Sequence, residues 1–188
     1  MSYTRPCFKI NNQKYVSAGA MLYTIKDGKI FFMMQKIAAD GKFNCTWEWE
    51  DFGGKSEKGD RSIKEVAVRE CWEELNGKVE KEFLHKQIAD EMSFRCKIPQ
   101  CKYMLYVIYV PPDYMDRFTT EIFGDMEDLD KVKRTVHWIG YDMFYRYVIA
   151  KKVTPRLKGN ATNLIIRLAS KGDFARHCHA SSEIVVAA

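Results

Sequence analysis

FGGKSEKGDRSIKEVAVRECWEELN, residues 52–76, opens on two glycines and closes on a segment that carries Glu70, Glu73 and Glu74 within two turns. Ser62 is a helix N-cap residue, and Glu65 three positions on completes a capping box. Asn76 and Gly77 both tolerate the left-handed backbone that closes a helix, so the helix runs from about Ser62 to about Leu75. Each helical residue advances about 100°. With Glu70 at zero, Ile63, Val66 and Ala67 fall at roughly 20°, −40° and 60°, and Glu73 and Glu74 at roughly −60° and 40°. The acids therefore continue the stripe by which the first half of the helix packs on a core.

Three carboxylates on one face repel one another and resist ionisation unless a positive charge lies among them. Hard oxygen ligands at i, i+3 and i+4 suit Mg²⁺ or Mn²⁺, ions that also accept oxygens from a substrate phosphate. A solvated charged face is the competing reading, and the apolar azimuth together with the glycines in front weighs against it. Gly53 and Gly54 allow close backbone approach, and Lys55 follows them directly. Ahead of the glycines, Trp47, Trp49 and Phe52 alternate with acids in WEWEDF. That alternation reads as a strand leading into a tight loop; its aromatics serve packing, and Trp47, Trp49 and Phe52 are also candidates to stack on a base.

Outward from this segment, VSAGAMLYTIKDGKIFFMMQKI reads as two strands joined at Asp27-Gly28, KYMLYVIYV as a buried central strand stopped by Pro111-Pro112, and TVHWIGY as a further strand. Residues 113–133 are acid-rich, part helix and part loop. DMFYRYVIAKKV and NATNLIIRLASKG form a C-terminal helical region, about 142–176, interrupted by a turn at Pro155. Sheet and helix alternate, as in a layered α/β domain.

The 188 residues, 46% hydrophobic and 13% aromatic, suit a single domain with one core. A net charge of +5 is compatible with a polyanionic substrate without requiring one. No stretch approaches the ~20 apolar residues of a membrane span. The N-terminus has no signal-peptide pattern and the six cysteines have no framework spacing, so reduced thiols and a cytoplasmic location are expected. Neither Cys96 and Cys101 nor His177, Cys178 and His179 supply the two paired halves of a zinc site.

Gly54-Lys55-Ser56-Glu57-Lys58-Gly59-Asp60 followed by Arg69-Glu70-Cys71-Trp72-Glu73-Glu74 resembles the Nudix box, G-x5-E-x7-R-E-U-x-E-E-x-G-U, here spanning about 54–76. The R-E-x-x-E-E core is complete. Asp60 stands in place of the glutamate, eight residues rather than seven separate it from Arg69, and Asn76 replaces the glycine. The resemblance implies a Nudix α/β/α sandwich with a mixed β-sheet over one domain. It also implies a Mg²⁺- or Mn²⁺-dependent hydrolase that cleaves the pyrophosphate of a nucleoside diphosphate linked to a second moiety. Metal would be held by Glu70, Glu73, Glu74 and the Gly53 carbonyl; Arg69 would orient the acids, and Lys55 would meet the substrate. A further carboxylate from the loop before the last strand completes such sites as ligand or base. Glu121, Asp125, Glu127 and Asp128 are the candidates here, and Glu127 is favoured.

The layout of EDFGGK, EELN and KKVTPRLKG is similar to that of Nudix proteins of large DNA viruses and some protists, some of which remove the cap of messenger RNA. Decapping of capped RNA is therefore a second reading, and a non-catalytic Nudix-fold RNA-binding protein a third. The retained glutamates favour catalysis. Many such proteins pair, so a homodimer is an added expectation.

Overall fold

Asp27 and Gly28 lie at φ +51° and +69°, the pair of positive values that a two-residue hairpin turn requires. They join β3 (Ser17–Lys26) to β4 (Lys29–Ile37) in the computed structural model, which describes residues 5–37, 48–88, 93–95, 102–129 and 132–169. Ahead of them, β1 (Phe8–Ile10) and β2 (Gln13–Tyr15) form a small separate hairpin. Trp47, Cys96, Cys101, the trio 177–179 and the helical expectation for 170–176 lie outside the described residues.

β3 and β4 stay paired only near their turn, through Tyr23↔Phe32 to Lys26↔Lys29. Where they part, β5 (Trp49–Glu50) continues on β4 and β6 (Phe52–Lys55) on β3, with Asp51 at the vertex. The double glycine thus lies inside β6, a correction to the tight loop read from the sequence. A Cβ on Gly19 or Gly53 would run into the Tyr103 hydroxyl, and one on Gly53 would also meet Gly19, so glycine is required there for close strand packing.

The helix read from the sequence forms as α1 (Ile63–Glu74). Ser62 accepts the Glu65 N–H at 3.1 Å, while the Glu65 carboxylate reaches one residue further back than a capping box needs, to the Arg61 N–H at 2.8 Å. Asn76 and Gly77 close the helix at φ +51° and +67°. Then follow α2 (Lys81–Gln87), β7 (Ser93–Arg95), β8 (Tyr103–Tyr109), the short α3 (Tyr114–Arg117) and α4 (Thr120–Phe123), β9 (Arg134–Gly140), α5 (Tyr141–Ile149) and α6 (Pro155–Ala169). Pro155 is the first residue of α6, not the turn between helices. A missing N–H costs nothing there, and Thr154 receives the Leu157 N–H at 3.4 Å.

β8 runs parallel to β3 and antiparallel to β7, and β9 pairs antiparallel with β4, which makes the sheet mixed. Side chains alternate across β3 and β8, so both faces are buried. Ala18, Ala20, Leu22, Met104, Tyr106 and Ile108 pack with α1 and α2 on one face. Met21, Tyr23, Leu105 and Val107 pack on the other with Phe144 and Val148 of α5 and Leu157, Ala161 and Leu164 of α6. The result is a layered α/β domain, a mixed sheet with helices flanking both faces. No helix among the described residues is long and apolar enough to cross a membrane.

Candidate active site

Because α1 packs Ile63, Val66, Ala67 and Cys71 into the core, its next turn must direct Glu70 and Glu74 toward the β5–β6 vertex. Glu70 lies against Gly54, whose missing side chain leaves the space its carboxylate fills. Gly53, Gly54, Lys55, Lys58, Arg69, Glu70, Glu73 and Glu74 line a single cleft of about 680 Å³, to which Arg5 and Leu129 also contribute.

Arg69 ties the box together. Its guanidinium donates to Asp60 at 3.0 and 3.1 Å, to Glu73 Oε2 at 2.8 Å and to the Lys55 carbonyl at 2.8 Å, and it pairs with Glu70 Oε1 at 3.0 Å. Asp60 also accepts the Glu57 N–H at 2.7 Å. The shorter acid at this box position therefore anchors the arginine and folds the loop.

Behind the cleft lies a polar layer that reading along the chain does not assemble. Gln35, on β4, donates from Nε2 toward Glu74 Oε2 at 3.1 Å, Glu50 Oε1 at 3.2 Å and the Asp51 carbonyl at 3.3 Å. Its own carbonyl accepts from Arg134 Nη1 at 3.4 Å. Arg156, from the first turn of α6, donates to the Asp51 carboxylate at 3.1 Å and the Asp51 carbonyl at 3.2 Å, pairs with Glu50 at 3.5 Å, and lies over the Tyr103 ring. The Tyr103 hydroxyl donates to Asp51. The one sequence signal for this layer is polarity at positions that should be apolar, Gln35 within FFMMQKI and Asp51 between Glu50 and Phe52.

Burial pushes the Glu70 carboxyl up to about 7 against the opposing pull of Arg69. It likewise raises Glu50 to about 7, opposed by Arg156, and Glu74 well above the carboxylate range, with Glu50 adding to the effect. Burial also pulls the Arg134 guanidinium below its ordinary value, opposed by Glu74, Glu127, Glu50 and Asp128. Glu70, Glu73 and Glu74 thus line the cleft itself, while Glu50 and Asp51 stand behind it with Arg134 and Arg156, and burial resists the ionisation of Glu50, Glu70 and Glu74. Among the described residues no three His, Cys, Asp or Glu side chains converge as a ready-made metal cluster.

Two expected contacts are corrected. Phe52 is fully buried in the α1 face, and Trp49 is buried against Tyr147, stacked at 5.1 Å, so neither presents a ring to a ligand. Glu127 is also buried, and its Oε1 accepts the Leu129 N–H at 3.0 Å. It does not line the cleft, whereas Leu129 does.

Residues 14–157 match the NUDIX domain. The chain belongs to the NUDIX family. The NUDIX fold it shares is seen in the crystal structure of a C. elegans Ap4A hydrolase binary complex, which is 18% identical, has a TM-score of 0.50, and covers 82% of this chain and 97% of that one. A Nudix hydrolase from M. smegmatis, RenU, is 11% identical with a TM-score of 0.41, covering 88% of this chain and 96% of that one. In sequence, the chain is 39% identical over 72 residues to an uncharacterized protein, L534, of Acanthamoeba polyphaga mimivirus. That match spans 38% of this chain and 22% of the viral protein's length.

Arg156→Met is expected to lower stability by about 2 kcal/mol, because it leaves the Asp51 carboxylate enclosed with only Tyr103 to compensate it. Thermal or urea unfolding checks this, and an unchanged midpoint would show that Arg156 does not hold the vertex.

Proposed function

We propose that the chain is a divalent-metal-dependent pyrophosphohydrolase acting on a nucleoside diphosphate linked to a second moiety. NUDIX proteins are generally pyrophosphohydrolases and typically use divalent metals. The observation that carries the reading is the convergence of Glu70, Glu73 and Glu74 on one cleft that Arg5, Lys55 and Lys58 also line. The donors are all oxygen, and burial resists ionisation of Glu70 and Glu74 unless a positive charge joins them, so they fit a hard dication better than a soft one. Glu70, Glu73, Glu74 and the Gly53 carbonyl are the residues assigned to hold it. Bound there, Mg²⁺ or Mn²⁺ supplies charge neutralisation and a more acidic attacking water.

The chain's own residues do the rest. Arg69 fixes Glu70 and Glu73 by bonds to both, so the two carboxylates do not have to be ordered at the moment of reaction. Arg5, Lys55 and Lys58 draw a polyphosphate into the cleft and offset its charge. Glu127 faces Arg134 and receives the amide of the cleft residue Leu129, and lying outside the cleft it is assigned no proton transfer.

The test is product analysis with Mg²⁺ or Mn²⁺ on ADP-ribose, dinucleoside polyphosphates, nucleoside triphosphates and capped RNA. Turnover of free nucleotides selects a nucleotide pyrophosphohydrolase. Release of methylated guanosine diphosphate from long capped RNA alone selects decapping. RNA binding with no metal-dependent product refutes catalysis.

A further inference from the structure

The NUDIX match begins at residue 14, so Arg5 and β1 stand ahead of it, yet Arg5 lines the cleft together with Lys55, Lys58 and the three glutamates. What brings it there is Ser56, a fully buried residue directly after Lys55. Its hydroxyl donates to the Pro6 carbonyl at 2.6 Å, and its backbone N–H donates to the Val16 carbonyl at 2.9 Å. One residue thus clasps both ends of the β1–β2 hairpin. Between those ends the register runs from Phe8↔Tyr15 to Ile10↔Gln13, and Phe8 and Ile10 pack with buried Tyr15 on the core face of α1. The arm is docked along its length, and the Pro6 ring restricts the backbone of Arg5 before it.

Arg5 is exposed, and among the described residues no carboxylate pairs with it, with Lys55 or with Lys58. Arg69, by contrast, is committed to Asp60, Glu70 and Glu73. An unpaired guanidinium presents a planar fork of donors that matches the oxygens of a phosphate. From this geometry we infer that Arg5 binds a phosphate of the substrate and that Ser56 is the positioning residue that holds it at the cleft. The N-terminal arm is then part of the substrate site. The inference rests on the reading of the cleft as one for phosphate-linked nucleotides, and it goes further by giving a role to a segment ahead of the matched domain. Arg5 pairs with none of the three glutamates, so its grip on a phosphate should be alike before and during the reaction. Its effect therefore falls on binding rather than on rate.

The probe is an ADP analogue whose two phosphates are joined through a methylene group, bound to the full chain with Mn²⁺ and followed by calorimetry. KM and kcat are measured beside it for the nucleotides that the parent cleaves. Arg5→Gln should raise the dissociation constant and KM roughly 10-fold with kcat little changed, the loss of one charge-assisted contact. Because the side chain is exposed, this variant should fold as the parent does. Arg5→Lys, which keeps the charge without the fork, should fall between the two. Added salt should weaken binding by the parent more than by Arg5→Gln. Ser56→Ala should raise the same two constants while Mn²⁺ affinity stays parental, and adding it to Arg5→Gln should cause no further loss, because Ser56 acts through Arg5.

Parental binding and KM in Arg5→Gln, in a chain that cleaves nucleotides, would overturn the inference and leave the proposed function standing. Weak binding in Arg5→Gln with a further, additive loss from Ser56→Ala would overturn the positioning role of Ser56. If Ser56→Ala does not fold, the Arg5 variants decide alone. The binding measurement reads Arg5 without turnover, so a chain that binds the analogue but cleaves nothing in the panel still decides the inference while refuting catalysis. A parent that neither binds the analogue nor cleaves any nucleotide would remove the proposed function and the inference together.

Discussion

Glu73→Gln and Glu74→Gln are each expected to leave a folded protein whose turnover is lower by about 10²–10⁴, the range over which a lost ligand or proton acceptor reduces rate. The two variants should differ in stability. Glu73 holds Arg69 at 2.8 Å, so its replacement loosens a guanidinium that retains Asp60, Glu70 and the Lys55 carbonyl, and the effect on the fold should be small. Glu74 lies beside Glu50 and is protonated far above the usual range because of burial and that neighbour. A neutral glutamine can still accept from the Gln35 amide at 3.1 Å while the repulsion is gone. Glu74→Gln should therefore unfold at a higher temperature than the parent in chelator at pH 8, by about 1–2 kcal/mol of added stability. Gain of stability with loss of turnover is the signature of a group retained for chemistry rather than for folding. Parental activity in both variants would remove the basis of the proposed function.

The second large effect is a dependence of stability on pH that metal reverses. Glu70 and Glu50 titrate at about 7 in the folded protein against an ordinary value of 4.5, and Glu74 is raised further. Groups raised in this way bind protons on folding. Their contribution is complete below about 4.5 and is lost as pH rises through about 7, so the metal-free protein should become less stable between pH 5 and pH 8. A single shift of this size corresponds to about 3 kcal/mol. Because the three carboxylates repel one another, the combined change is smaller than three such terms added.

Mn²⁺ binds the ionised form and so should restore stability most at high pH, by about 4 kcal/mol at a thousandfold excess over its dissociation constant. Unfolding midpoints at pH 5.5 and 8, with chelator and with Mn²⁺, check both signs. Stability that rises with pH in chelator, or a midpoint indifferent to Mn²⁺ at pH 8, would show that the cleft floor is not built around a cation.

Local signals account for the parts of the site that lie in one stretch of chain. The capping of α1 by Ser62, its closure at Asn76-Gly77, and the shared face of Ile63, Val66, Glu70 and Glu74 follow from helix geometry over a dozen residues. Asp60, shorter than the glutamate of the pattern and one residue further from Arg69, reaches that arginine with two bonds. The aromatics Trp49 and Phe52 could not be assigned from alternation alone, since a strand presents one face to each layer and here both layers are covered.

What the sequence determined by itself is the hairpin of β3 and β4, the strands β8 and β9 and the acid-bearing helix, because helix period, turn chemistry and capping act between residues a few positions apart. The tertiary structure alone decided what stands behind those acids. Gln35 meets Arg134 across 99 residues and Arg156 meets Asp51 across 105, at the point where β3 and β4 separate and β5 and β6 enter. No local pattern encodes such pairs; they form because closing the sheet and docking α6 bring separately encoded polar side chains into one enclosed layer, where each must find a partner.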